Sequence, residues 1–272
     1  MFLELDRLFR REVDRLLRGE VYRLLRREVH RLLRGLQEWL FPVPAGCPLC
    51  GRAAPGDPPA PPEPLCPDCR ARAAFPPGLP LCPLCSRPLD GSWALCPDCA
   101  AGTPLAGVAA VGLYRPPLDR AIVRFKYAGR RYLAEPLGLL LAAAVRRRWP
   151  DPPFAAVVPV PLHPGRRRRR GFNQAEDLAR VLGRELGLPL ETRWLARVRS
   201  GAPQARLGRA GRQGNAEAAF VAEGVPPGAH LLLVDDVLTT GATARAAASA
   251  LRAAGAGQVS VAVVAVSPRP VW

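Results

Sequence analysis

The sequence predicts an α/β protein with a parallel sheet, preceded by a small cysteine-rich module. Three observations support this fold class. From about residue 105 onward, short apolar runs alternate with helical segments, as in βαβ units. All eight cysteines fall within residues 47–99, ahead of those units. A chain of 272 residues is long enough for one full α/β core and a smaller module, so we expect two domains.

The N-terminal extension, residues 1–40, is rich in Arg and Leu and contains an octapeptide repeat. Its units are DRLFRREV, DRLLRGEV, YRLLRREV and HRLLRGLQ, in residues 6–37. Glu and Arg three positions apart favour a helix. An eight-residue period turns the apolar stripe by about 80° per unit, so the stripe winds around a straight helix. We interpret the repeat as a dispensable extension, from duplication or an upstream start codon; the alternative is a basic arm for a partner helix or nucleic acid.

The cysteine module, residues 41–104, predicts two structural zinc sites. The C-x-x-C spacing suits tetrahedral zinc, and four thiolates leave no open position for a substrate. The module repeats itself, since CPLCGR and LCPDCRA are followed by CPLCSR and LCPDCAA, which favours pairing of consecutive C-x-x-C units. A nested pairing stays open, and a disulfide framework is disfavoured because no secretory signal is evident. The four pairs are Cys47/Cys50, Cys66/Cys69, Cys82/Cys85 and Cys96/Cys99. The Pro-rich insert at 55–64 is expected to be a solvated loop.

The third predicted domain, residues 105–272, supplies the sheet and its helices. Strands with helices between them imply right-handed crossovers, with a ligand at the carboxyl ends of the strands. The expected strands cover 108–114, 154–160, about 190–198, 230–234 and 258–266. The expected helices cover 118–127, 132–149, 173–186 and 242–254.

The segment AHLLLVDDVLTTGATA, residues 229–244, predicts a phosphate site. A buried strand is followed by two acids and then by a small-residue loop that opens a helix. Backbone N–H groups and the positive end of that helix favour one phosphate, and the acids would face hydroxyls or a hydrated metal. The alternative is a strand end and a helix cap. A Walker-type loop is excluded because no G-K-[ST] follows. The loop residues are Thr239, Thr240, Gly241, Ala242 and Thr243, after Asp235 and Asp236.

A second loop, from Val158 to Gln174, predicts a site for a dense anion such as pyrophosphate. Arg166 to Arg170 are consecutive arginines, and clustered cations with exposed backbone donors suit such an anion. The alternative is a solvated turn in which Asn173 caps the next helix.

The charge balance points to nucleic acid as the first partner to consider. The net charge is +16 and the pI is near 10.9, and phosphate attraction explains unbalanced cations. Lys126 is the only lysine, so part of the Arg excess is also compatible with GC-rich coding. No apolar stretch reaches the roughly 18 to 20 residues of a membrane span, and we expect a cytoplasmic protein.

Taken together, these motifs resemble the ComF family of competence-associated, type I phosphoribosyltransferase-like proteins with an N-terminal double zinc ribbon. The resemblance covers about residues 39–266. It is carried by LFP-CPxCG, the C-x-x-C pairs, F-K-Y-x-G-R, V-P-V-P-L, R-R-G-F-N-Q, Q-A-R-L and V-D-D-V-x-T-T-G-A-T. It implies a phosphoribosyltransferase fold that binds phosphoribosyl pyrophosphate (PRPP) together with Mg²⁺.

The resemblance also implies roles for individual residues. Asp235 and Asp236 would meet the ribose 2′ and 3′ hydroxyls, and residues 239–243 would surround the 5′-phosphate. Lys126, in F-K-Y, joins the two acids as a catalytic candidate; a lone lysine hints at a need for a compact ammonium, and chance survival is the alternative. The pyrophosphate loop would include Pro159, Val160, Pro161, Arg169, Arg170 and Asn173. A mobile flap would include Gln204, Arg206, Arg212 and Asn215.

Three hypotheses about function follow. The leading one is a PRPP-binding protein of DNA uptake and processing during natural transformation, which binds single-stranded DNA, meets DNA-uptake or recombination proteins and transfers phosphoribosyl groups. The second is a nucleotide-salvage transferase acting on a nucleobase or amine. The third is a nucleic-acid-binding regulator that senses PRPP without turnover. The sequence does not reveal the acceptor substrate or the oligomeric state.

Overall fold

A computed structural model describes residues 46–52, 65–91, 93–197 and 219–268 of the chain. The N-terminal repeat and the Pro-rich insert at 55–64 lie outside these residues. All of these described residues fall in one compact unit. Its helices are α1 (Pro67–Ala73), α2 (Pro97–Ala100), α3 (Leu118–Tyr127), α4 (Ala134–Arg148), α5 (Pro164–Arg170), α6 (Gln174–Leu186) and α7 (Ala242–Ala253). Its strands are β1 (Gly107–Leu113), β2 (Ala156–Pro159), β3 (Leu195–Arg197), β4 (Phe220–Ala222), β5 (His230–Leu238) and β6 (Gln258–Val266).

The main sheet has four strands in the order β1-β6-β5-β2, and all of its pairings are parallel. Most residues of these strands are apolar because helices cover both faces of the sheet; the exceptions in β5 are His230, Asp235 and Asp236. The predicted α/β fold class is therefore confirmed. The order places β5 between β6 and β2, so the carboxyl ends of β5 and β2 lie side by side.

Two hydrophobic cores lie on opposite faces of this sheet. Alternate residues of each strand point to opposite faces. Helices α3, α4 and α6 cover one face, where Leu232 and Val234 of β5 are buried. Helix α7 covers the other face, where Leu231 and Leu233 are buried.

The cysteine module packs into both cores. Cys47 and Cys69 join the core of α3, α4 and α6. The cysteines of the second repeat join the core that contains α7. Helix α1 approaches the edge strand so closely that a Cβ on Gly112 would lie 1.9 Å from the Ala73 carbonyl oxygen, which only glycine permits. The two ribbons therefore pack on opposite faces of the sheet.

Three predicted elements differ from the structure. Strand β5 continues through both acids to Leu238, whereas the prediction ended it at residue 234. The Arg166–Arg170 stretch, expected as a loop, forms helix α5, which begins with Pro164 and has His163 Nδ1 accepting from the Gly165 amide at 3.2 Å. The strand expected near 190–198 is split, because Leu190 only bridges Val157 while β3 pairs with β4 in a separate antiparallel ribbon.

Candidate phosphate and zinc sites

The eight cysteines form two clusters of four. Within each cluster the sulfur atoms all lie within 4.8 Å of one another. Cys50 Sγ lies 3.9 Å from Cys66 Sγ, and Cys85 Sγ lies 3.5 Å from Cys96 Sγ. Tetrahedral zinc with bonds of about 2.3 Å separates its sulfur ligands by about 3.8 Å, so the clusters fit structural zinc. Consecutive pairs combine, and the nested alternative is wrong. The clusters are Cys47, Cys50, Cys66 and Cys69, and Cys82, Cys85, Cys96 and Cys99.

The surroundings of the thiols also fit a cation. Burial opposes ionisation of Cys82, but backbone N–H groups at Cys96, Cys85 and Leu84 lower the pKa of its thiol to about 6. The same balance, with backbone groups at Cys66, Cys50 and Leu49, lowers the pKa of Cys47 to about 7. Burial raises the pKa of Cys85 to about 12 and also raises the pKa of Cys69. Such buried thiols are held as thiolates by a bound metal.

The predicted phosphate loop follows β5 and leads into α7. Gly241 has φ of 79° and serves as the N-cap of α7, a left-handed conformation that glycine adopts without strain. Thr240 Oγ1 accepts from the Ala242 amide at 3.3 Å. Within the described ranges, the backbone N–H groups of Thr240, Gly241 and Thr243 have no hydrogen-bond acceptor. The loop therefore offers free donors at the positive end of a helix, which favours an anion.

The two acids of β5 lie in different surroundings. Asp236 is buried, and its Oδ1 lies 2.6 Å from Lys126 Nζ at the end of α3. Asp235 is half-buried, and its Oδ1 accepts from the Asp236 amide at 2.8 Å. Because strand residues alternate, Asp236 belongs to the face of α3, and Asp235 belongs to the opposite face. The structure thus brings Lys126 and Asp236 into one ion pair.

Burial is the main reason why the pKa of Asp235 is high. It raises the pKa of this carboxyl to about 7, and the neighbouring Asp236 carboxylate adds to the rise. The Asp236 amide, Lys126 and Arg197 act in the opposite direction, without cancelling the effect. At neutral pH, Asp235 is therefore close to half protonated, and a hydroxyl partner or a cation would favour its ionised form.

Replacing Asp235 by asparagine should stabilise the ligand-free protein at pH 8 by about 1–3 kcal/mol. The folded protein holds this proton up to about pH 7. The unfolded chain loses it near pH 4, so wild-type stability falls as pH rises between these values. The gain in the variant should therefore shrink by about half at pH 5.5. Urea unfolding at both pH values measures it.

The neighbouring substitution Asp236→Asn is the matched control for this prediction. It breaks the ion pair with Lys126 and should lower the free energy of unfolding at pH 8 instead. A gain in Asp235→Asn that is equal at both pH values would contradict a charge effect and indicate packing.

The second predicted loop lies beside the first. The Val160 amide donates to the Val234 carbonyl at 2.9 Å, so the 159–161 segment borders the carboxyl end of β5. Arg166, Arg168 and Arg169 are exposed on α5, and no ion pair involves them within the described ranges. Arg170 is partly buried, donates to Gln174 Oε1 at 2.9 Å and lies 4.8 Å from the ring centroid of Tyr127. Arg167 is exposed and lies 3.7 Å from Glu176. The five arginines of α5 therefore comprise three exposed residues without an ion pair in the described part of the chain, one exposed and paired residue, and one that is partly buried and anchored.

Asn173 acts within the protein. It is buried and precedes α6, where its Oδ1 accepts from the Ala175 amide at 3.2 Å. Its Nδ2 donates to the Val160 carbonyl at 3.1 Å. Both ends of the amide are thus used in joining β2 to α6, so Asn173 serves the loop and caps the helix.

The predicted flap residues lie outside the described residues; they are Gln204, Arg206, Arg212 and Asn215. The flanking strands β3 and β4 pair, and Arg197 of β3 lies 5.2 Å from the ring centroid of Phe220. Burial lowers the pKa of Arg197 and the like charge of Arg166 lowers it further, against the effect of Asp235. Two cations therefore crowd the side of the site near Asp235.

Sequence reasoning missed two cations at the site, Arg87 and Arg197. Arg87 belongs to the second zinc repeat, and its NH2 donates to the Thr239 carbonyl. No local signal distinguished it, since the first repeat carries Arg52 at the same place. Arg197 lies in the segment predicted as a strand near 190–198. Its position beside the acids depends on the pairing of β3 with β4, which the local sequence does not reveal.

This sheet, with a phosphate-type loop after β5 and two cysteine clusters at its edge, defines a phosphoribosyltransferase-like protein joined to zinc ribbons. The phosphoribosyl transferase domain family matches residues 168–270. The double zinc ribbon domain family matches residues 36–100.

Similar proteins narrow the class to one family. The DNA utilization protein YhgH of Salmonella typhi is 34% identical over 199 residues, covering 66% of this chain and 88% of the relative. Competence protein F of Haemophilus influenzae is 31% identical over 208 residues, 72% of this chain and 88% of the relative. Competence protein ComFC of Bacillus subtilis is 29% identical over 199 residues, covering 70% and 79%. The chain belongs to the ComF family.

No helix in the described part of the chain combines the length and the apolar character needed to cross a bilayer.

Proposed function

We propose that the protein binds PRPP over the carboxyl ends of β5 and β2. The 239–243 loop would hold the 5′-phosphate, and Asp235 and Asp236 would accept hydrogen bonds from the ribose hydroxyls. The observation that carries this proposal is the Lys126–Asp236 ion pair, of 2.6 Å, at the base of a loop with free amide donors. The Lys126 ammonium holds the Asp236 side chain in place, with its carboxylate oxygens as hydrogen-bond acceptors.

The pyrophosphate group would lie against the 159–161 segment and α5. Exposed arginines beside a half-buried Arg197 provide the positive charge that this group needs. Mg²⁺ bound with PRPP would neutralise part of that charge. Phosphoribosyl transfer would form a bond from the acceptor's nucleophilic atom to C1 while the C1–O bond breaks and pyrophosphate leaves with the electron pair. This chain would contribute by stabilising the charge of that leaving group, with no general base assigned.

We further propose that α5 and Tyr127 bind single-stranded DNA during DNA uptake and processing. Tyr127 is 69% exposed, and the guanidinium of Arg170 lies over its ring. An exposed aromatic ring in contact with a helix that carries exposed arginines is suited to stacking a base while cations contact its phosphates. The relatives named as competence and DNA utilization proteins support the same role. A cytoplasmic location would accompany it.

The DNA proposal predicts a specific change in salt dependence. Arg168→Gln combined with Arg169→Gln should reduce the slope of log K against log salt for a single-stranded oligonucleotide by about 1.4, since each phosphate contact contributes about 0.7. Fluorescence anisotropy titrations at salt concentrations from about 50 to about 200 mM measure this slope. PRPP titration of the same samples by calorimetry tests the first proposal.

The matched control is Arg147→Gln combined with Arg252→Gln. Both arginines are exposed, at the ends of α4 and α7, near the amino ends of the strands. This pair loses the same charge and should leave the slope unchanged. Equal slopes for wild type and the α5 variant would contradict DNA binding at α5. A wild type that releases pyrophosphate from PRPP only with a nucleobase would favour the salvage hypothesis.

A further inference from the structure

The two zinc repeats carry the same Arg–Asp pair in different environments. In each repeat the arginine lies two residues after a cysteine, and the aspartate lies between the cysteines of the last knuckle. In the first repeat, Arg52 is 70% exposed and lies 3.6 Å from Asp68. In the second repeat, the Arg87 side chain is 4% exposed and lies 2.9 Å from Asp98. The repeated sequence therefore predicts that the two Arg–Asp pairs are equivalent, but they differ because only the second arginine is buried.

The buried arginine extends from the zinc knuckle to the 239–243 loop. Its NH2 donates to the carbonyl of Thr239, 152 positions away in the sequence. A Cβ on Gly241 would lie 3.4 Å from the same NH2. The neighbouring Ser86 donates through Oγ to the Val108 carbonyl at 2.7 Å, which fixes the knuckle to the edge of the sheet. Arg87 is thus held on one side by the ribbon and on the other by the loop.

This contact determines how the loop presents its donors. A trans peptide is planar, so its C=O and the following N–H point in opposite directions. With the Thr239 carbonyl held by Arg87, the Thr240 N–H points away from the ribbon. A guanidinium on the carbonyl also polarises the peptide and strengthens that N–H as a donor. If Arg87 left the Thr239 carbonyl, its NH2 would stay buried without this acceptor, while its NH1 remained paired with Asp98.

We propose that Arg87 is a positioning residue, through which the second zinc knuckle holds the 239–243 loop in its anion-binding conformation. The inference rests on the proposed PRPP site and adds a dependence of the 239–243 loop on the second zinc ribbon. Among the described residues, the arginine of the first ribbon makes no contact with this loop, because Arg52 is exposed and paired with Asp68. The first ribbon contacts α3 instead, where Arg124 donates to the carbonyls of Pro48 and Leu49. Arg52 is therefore a matched control supplied by the repeat itself.

The test compares Arg87→Met with Arg52→Met in the full-length zinc-loaded protein. Both variants should retain two zinc ions per chain. Amide hydrogen exchange reports on the loop at Ala242 and Arg245, whose N–H groups donate to Thr240 Oγ1 and to the Gly241 carbonyl. Measured without ligand, exchange at these two amides should accelerate about tenfold in Arg87→Met alone, and PRPP should bind about tenfold more weakly to that variant. Arg87→Lys, which keeps one donor and the charge, should restore part of both.

Each outcome has one meaning. Unchanged exchange in the loop of Arg87→Met overturns the positioning role, even if PRPP binds to the wild type. Accelerated exchange in this variant, with a wild type that does not bind PRPP, overturns the proposed function and supports the positioning role. If Arg87→Met loses zinc or does not fold, Asp98→Asn against Asp68→Asn replaces the pair, and equal loop exchange in these two variants overturns the inference.

Discussion

Replacing Asp236 by asparagine should weaken PRPP binding by about 100-fold. The variant loses a charged acceptor for a ribose hydroxyl, and hydrogen bonds to charged groups contribute about 1.5–3 kcal/mol each. It also leaves the Lys126 ammonium, whose side chain is 21% exposed, without the carboxylate 2.6 Å away. Calorimetric titration with PRPP measures the loss, and combining the change with Asp235→Asn should abolish detectable binding.

Lys126→Met tests the same site from the other side of the ion pair. Without the ammonium, the buried Asp236 carboxylate loses its charged partner and is no longer held in place, so PRPP binding should weaken about tenfold. Asp151→Asn, at an exposed position beyond α4, is the control and should bind PRPP like the wild type. Wild-type affinity in Asp236→Asn would show that the sugar does not contact this carboxylate.

Removing zinc should destabilise the α/β core as well as the ribbons. Structural zinc contributes roughly 10–16 kcal/mol in zinc-finger peptides. Here the ligands are part of both cores, since Cys47 belongs to the core on one face of the sheet and Cys82 to the core on the other. We expect the apo protein to melt at least about 10 °C below the zinc-loaded protein. Metal analysis and circular dichroism melting of the same sample measure this.

A reductant provides the control for the zinc prediction. If the cysteines hold zinc, a chelator should destabilise the protein while a phosphine reductant alone leaves its melting temperature unchanged. The reverse result would indicate the disulfide framework that the sequence disfavoured. A metal-free protein with the same melting temperature would contradict a structural role for either cluster.

Local patterns predicted most of the fold. The alternation of apolar strands and amphipathic helices placed α3, α6, α7 and β6 within one residue of their observed limits. These elements depend on periodicity and on capping, as at Asn173, which act over a few residues. The C-x-x-C spacing likewise predicted two four-cysteine clusters, because a zinc knuckle is a local turn.

The errors occurred where a neighbouring element decides the outcome. Strand β5 runs past its acids because β6 pairs with it up to Leu238. The arginine stretch is helical because Pro164 and His163 begin a short helix there. Leu190 bridges β2, whereas Leu195 pairs with β4, so one predicted strand is divided between two sheets. The roles assigned to the acids, the loops and the flap stay predictions.

The sequence alone determined the type of sheet, the metal-binding thiols and the loop that follows β5, since each is written in residues close together in the chain. Only the tertiary structure decided that Lys126 pairs with Asp236, that Asp235 lies in a separate environment and that Arg87 rather than Arg52 reaches the loop. The physical reason is that docking of distant elements sets burial and charge pairing. Two similar repeats therefore acquire different partners when they pack on opposite faces of one sheet.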